Sequence, residues 1–267
     1  MSNTTHAKHH KVRLCAGVLT MTLGLAAALS QTAHAQEIRR MPPGPTSVSN
    51  ASEALNAREQ AIVPIAAFAA AGDMAKLNAA LNQGLDAGMT VSDAREVLVQ
   101  LYAYAGFPRS LNALSELMKV LEARKQRGVQ DAPGREPSQP IPKGDALLAA
   151  GTANQTKLSG GRVEGPLFEF APAANEYLRT HLFGDIFERD NLDWQSRELA
   201  TVGMLSALPG AESQLQAHMR ISMNVGITAS QLRQLTQVLG ERVDVSTARR
   251  ASEALNRYLA TLTAGKQ

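Results

Sequence analysis

Cysteine is nearly absent from this chain: one residue, Cys15, among 267. Everything after it lacks a thiol, which excludes a disulfide scaffold and thiol catalysis there. Aromatic residues are scarce at 4%. The abundance of Ala and Leu suits close helix–helix packing better than a β-sandwich. No segment keeps the two-residue apolar alternation of a half-buried strand. Without strands there is no strand–turn–helix phosphate loop, and no cofactor is expected. Histidine is sparse too. Four of the six (His6, His9, His10 and His34) fall within residues 1–35, leaving His181 and His218. Two distant histidines with no HxxxH or HxxE spacing make a poor ligand set, so no metal is expected.

Residues 1–35 read as a secretory signal. Lys8, Lys11 and Arg13 form a basic start, an apolar stretch follows from Leu14 to Leu29, and Ala33-His34-Ala35 offers a small-x-small cleavage site. The apolar run is shorter than the ~20 residues of a membrane span. This predicts a periplasmic or secreted protein with no stable membrane insertion once the leader is gone; an uncleaved anchor is the alternative. Cys15 is not at the cleavage point, which argues against lipidation. The leader holds three of the 27 basic residues and none of the 24 acidic ones, so the remainder carries equal numbers of each sign. The basic character of the whole chain therefore gives no argument for a nucleic-acid partner. The stretch Arg124-Lys125-Gln126-Arg127 reads as charge at a helix C-terminus.

What is present is one pattern, twice. Arg58-Glu59 and Arg197-Glu198 each open a small-residue helical run that ends at a glycine, Gly72 or Gly210. Sixteen residues further on stand Gly88-Met89-Thr90 and Gly226-Ile227-Thr228. A repeat of this length implies two copies of one helical unit. The copies differ eight residues before the second glycine, where one has Ala80 and the other His218.

Residues 36–50 read as an extended lead-in, 51–128 as a first helical repeat, 129–170 as a Pro/Gly-rich connector and 171–267 as a second helical repeat. The first helix is expected to begin near Ser52, with Pro64 either kinking it or marking a new start. Gly88 is expected to end a helix, and Thr90 and Thr228 to cap the next ones, with Asp93 and Gln231 completing capping boxes. Helices are expected to resume around Ala173. The fold class is all-α.

The strings RELATVGMLSAL and QLQAHMRISMNVGIT in the second repeat, with REQAIVPIAAFAAAG, LNAALNQGLDAGMT and REVLVQLYAYAGFPRSLNAL in the first, resemble the carboxymuconolactone decarboxylase family. That superfamily also holds the alkylhydroperoxidase D-type proteins. The resemblance implies two tandem helical repeats packed as a pseudo-dimer, in a protein that forms homo-oligomers. Redox members carry Cys-x-x-Cys ahead of a histidine, with a glutamate on the preceding helix. At those positions this chain has Ala211, Gln214, His218 and Glu198. The relay pair remains and the thiols do not, which argues against an antioxidant of the usual thiol type. The decarboxylase branch has Glu where this chain has Gln214, and an amide cannot transfer that proton.

His218 sits mid-helix among Leu215, Met219 and Met223. It reads either as a general acid/base, imidazole being the side chain that titrates near neutrality, or as a hydrogen-bonded core histidine. Glu198 orients it or forms a structural pair with Arg197. For substrate binding the candidates are Arg109 as a two-pronged carboxylate holder, Tyr104, Glu96 as a second acid, and Gln214. Tyr102 and Tyr104 flank the Gly106-Phe107-Pro108 turn, which has no counterpart in the second repeat; Tyr102 reads as packing. The expectation is a small-molecule enzyme of lyase or isomerase type acting on an organic acid or lactone. A non-catalytic helical binding or assembly protein is one alternative, and a peroxiredoxin/alkylhydroperoxidase-like antioxidant protein lacking the usual Cys-x-x-Cys, which the resemblance implies, is the other.

Overall fold

The computed structural model describes residues 54–264. The signal segment and the lead-in expected at residues 1–50 lie outside them. Every regular element among the described residues is helical. No helix there is long and apolar enough to cross a membrane.

Helix α1 (Ala57–Ala71) starts later than Ser52, because Asn56 is its N-cap: the Glu59 amide donates to the Asn56 side chain, and the Asn56 amide donates to the Glu59 carboxylate. It runs unbroken through Pro64 and is buried on all sides from Ala61 to Ala70. A helix apolar around its whole circumference belongs at the centre of a fold. It packs on its counterpart α8 (Trp194–Ser206), buried from Ser196 onward. The two backbones approach closely at Gly203, where an added Cβ would stand 2.8 Å from the Val63 carbonyl oxygen.

The rest of each repeat wraps this pair in the same order. Helices α2 (Met74–Asp86), α3 (Val91–Gln100) and α4 (Tyr102–Gln126) follow α1. Helices α9 (Glu212–Asn224), α10 (Ala229–Arg242) and α11 (Val245–Ala264) follow α8. Contacts match as well: α1 on α2 and α8 on α9, α3 on α4 and α10 on α11, α2 on α4 and α9 on α11. Thr90 and Thr228 cap α3 and α10, each inside a complete capping box with Asp93 or Gln231. Ahead of them Gly88 and Gly226 take positive φ, and the next amides, of Met89 and Ile227, reach back to the carbonyls of Gly84 and Ser222. The chain thus forms two tandem all-α repeats packed as a pseudo-dimer.

The stretch between the repeats is more ordered than its composition suggests. Its first part crosses the start of α3, where the Ala132 and Pro133 carbonyls accept from the free Val91 and Ser92 amides. Helix α5 (Asp145–Ser159) follows, then the short α6 (Pro166–Phe170) and α7 (Pro172–Tyr177) and a π-helix at Leu178–Ile186. Helix α5 lies so close on the π-helix that a Cβ at Gly151 would fall 1.8 Å from the Arg179 carbonyl oxygen. Leu158, Leu182, Phe183, Ile186, Phe187 and Ile221 form a second, smaller core there. Asn224 on α9 donates to the Leu158 carbonyl and ties α5 to the second repeat.

Candidate active site

Asp193 caps α8 by accepting from the Ser196 amide at 2.7 Å, which sets the first turn that carries Arg197 and Glu198. The two side chains point to different partners. Glu198 is fully buried and its Oε2 lies 2.8 Å from His218 Nδ1 on the neighbouring α9. Its Oε1 is buried with no hydrogen-bond partner among the described residues, so His218 is the partner that defines this carboxylate. With a carboxylate on Nδ1, the imidazole carries its proton there and presents Nε2 as the free nitrogen.

His218 is 8% exposed, and what remains of it faces a cleft of about 400 Å³. Most of the lining is apolar, from Leu178, Leu182 and Phe183 of the π-helix, Leu205 and Leu208 at the end of α8, and Ile221 of α9. Tyr104, from the first repeat, meets the His218 ring edge-on with centroids 5.7 Å apart. Its Oη is 3.2 Å from Thr201 Oγ1. Burial first, and the charge of Glu198 second, push the Tyr104 phenol above its ordinary range, so it stays a protonated hydrogen-bond donor. Residues from both repeats therefore line one cleft.

Gln214 lines the same cleft, as does Ala211; these are the two positions where the resemblance places cysteines. Two expected site residues lie elsewhere. Arg109 donates to the Ala70 carbonyl at the end of α1 and takes no part in the cleft lining, so its fork is spent on a helix C-terminus. Glu96 is fully buried but faces Arg189 and Arg197. Arg189 Nη2 and Nε stand 2.6 and 2.8 Å from its two oxygens, and Arg197 Nη2 is 3.1 Å away. Burial would raise the Glu96 carboxyl, but the Arg189 hydrogen bonds, helped by Asn191 and the charge of Arg197, hold it at about 2. A carboxyl held that low is no acid for catalysis; it is the counter-charge that lets Arg197 be fully buried. Burial in turn pulls the Arg197 guanidinium down from its usual range. Tyr102 stacks on Phe107 with centroids 4.5 Å apart and packs on the smaller core.

The doubled Arg-Glu pair thus serves different ends in its two copies. Arg58 makes a two-pronged ion pair with Asp93, and Glu59 closes a helix cap. Arg197 reaches Glu96 of the first repeat, and Glu198 holds the histidine.

Among the lining residues that the sequence reading does not single out, two carry polar groups that bear on the chemistry. Arg220, exposed at the rim, sits on α9 two residues beyond His218 and forms no ion pair among the described residues. Its place on the histidine's own helix was a usable signal. Gln155 on α5 is buried and lines the cleft from the connector, where nothing in the residue pattern marks it. Among the described residues no group of three or more His, Cys, Asp or Glu is placed to hold a metal ion.

The model of the carboxymuconolactone decarboxylase family matches residues 47–118 and 172–257, one segment in each repeat. No curated protein matches the chain. The two segments together span more than half of the chain, which belongs to the carboxymuconolactone decarboxylase family as a tandem-repeat member.

Proposed function

Starting from that membership, we propose that the chain is a cysteine-independent small-molecule enzyme of lyase or isomerase type. His218 transfers a proton, and Glu198 orients the ring and balances its charge. The observation that carries this reading is the 2.8 Å bond from His218 Nδ1 to a fully buried carboxylate, on a histidine that opens onto an apolar cleft. A carboxylate on Nδ1 fixes the tautomer and stabilises the imidazolium that forms once Nε2 has taken a proton.

The substrate class is a small organic acid or lactone. Its C–H or O–H proton passes to Nε2, and the electron pair stays on the substrate. Return of the proton to another atom completes an isomerisation or a ring opening. If carbon dioxide leaves first, the same proton quenches the carbanion and completes a decarboxylation. Tyr104 supplies a neutral hydrogen bond to the developing charge, Gln214 a polar contact at the edge, and Arg220 takes the place expected of Arg109 as the partner of an acidic end. With Ala211 and Gln214 at the cysteine positions, thiol peroxidase turnover is not expected.

The test is a thermal-shift screen of aromatic acids, lactones and hydroperoxides, followed by turnover assays of each hit on wild type and His218→Ala. General acid/base catalysis predicts a loss of at least about 10²-fold. Turnover unchanged in His218→Ala sinks the role of His218. Stabilising ligands with no turnover in either protein would favour a binding protein. The leader reading adds that the enzyme works in the periplasm or outside the cell, with a mature chain that N-terminal sequencing should find beginning at Gln36.

A further inference from the structure

One wall of the His218 cleft comes from residues that neither family-matched segment contains. Gln155 and Ser159 on α5, Val163 beyond it and Phe168 on α6 all line the cleft, and all fall between residues 118 and 172. This wall is docked rather than loosely draped. Helix α5 meets the π-helix backbone at Gly151, Asn154 donates to the Phe183 carbonyl at 2.9 Å, and Asn224 of α9 donates to Leu158 at 2.9 Å.

Gln155 is the buried polar group of that wall, 3% exposed. Its Oε1 receives one long contact, from Arg179 Nε at 3.4 Å, and its Nε2 has no partner among the described residues. That donor is not sealed in the protein interior: it is open to the cleft, where an oxygen of a bound ligand can take the place of water. On the reading of the cleft as the active site, we propose that Gln155 is a substrate-binding residue, donating through Nε2 to a carbonyl-type oxygen. In the same wall Phe168 packs on the apolar body of the substrate. The connector, rather than the repeats, then carries the specificity of this chain.

The probes are acetophenone and its hydrocarbon isostere α-methylstyrene, titrated calorimetrically into the full-length protein. The His218 imidazole NMR signal, assigned by its loss in His218→Gln, reports where they bind. Both probes should move that signal. Gln155→Met keeps the length of the side chain and removes the donor. It should shift the ratio of the two affinities about three- to tenfold towards the hydrocarbon, the range of one neutral hydrogen bond. Phe168→Ala, at a partly exposed position that tolerates truncation, should weaken both probes and leave the ratio alone. An unchanged ratio in Gln155→Met overturns the assignment of Gln155. Unchanged affinities in Phe168→Ala overturn the connector as a wall. If neither probe moves the His218 signal, the cleft itself is not a ligand site, and the functional reading falls together with this one.

Discussion

Replacing Glu96 by Gln preserves the shape of the side chain and removes the charge on which two arginines depend. Glu96 and Arg197 are both fully buried, and Arg189 is partly exposed. The magnitude follows from the carboxyl. Held at about 2 in the fold against an ordinary 4.5, it differs by roughly 2.5 units, or about 3 kcal/mol at 1.36 kcal/mol per unit. The folded value is depressed, so this stability is fully present above about pH 4.5 and is lost as pH falls through about 2. Removing one member of a buried pair costs about 3–5 kcal/mol by mutational precedent, in the same range. Urea unfolding of wild type and Glu96→Gln at neutral pH should therefore show a difference near 3 kcal/mol. The gap should narrow progressively below pH 4.5. A difference under about 1 kcal/mol at neutral pH, or one independent of pH, would refute the view that this carboxylate is what makes Arg197 tolerable in the core.

Three further perturbations separate packing from chemistry. Gly151→Ala places a methyl group on the Arg179 carbonyl and should destabilise the docking of α5 by about 1–3 kcal/mol; hydrogen exchange should then speed up in α5 and the π-helix before the repeats. Arg109→Ala should cost about 1–2 kcal/mol of stability, through the lost bond to Ala70, and leave turnover unchanged, whereas Arg220→Ala should raise KM about tenfold for an acidic substrate with little change in kcat.

Much of the fold could be read from the residues because the two repeats announce themselves with local chemistry. Threonine caps, glycine C-termini and the apolar runs of α1 and α8 each act within a turn or two of chain. The pairing of Glu198 with His218 was legible for another reason: the family resemblance implied a glutamate on the helix ahead of the histidine, and the internal repeat showed that only one copy has that histidine. Helix α5 was not legible. Its buried positions are Gly151, Gln155 and Leu158, so a helix docked on a neighbouring backbone shows one apolar residue where a periodic stripe would be sought. The π-helix has no sequence period of its own. Arg109 misled because its acceptor is a backbone carbonyl, which any residue supplies. Glu96 misled because its main partner, Arg189, lies 93 residues away, just ahead of α8.

The measurement closest to the central claim is the protonation pattern of the His218 ring. Nitrogen-15 NMR of the imidazole, taken at alkaline pH where an ordinary imidazole is neutral, distinguishes the two tautomers directly. The bond to Glu198 predicts a proton on Nδ1 and a bare Nε2 ready to accept a substrate proton. A proton found on Nε2 would contradict the account, because Nε2 could not then act as the base.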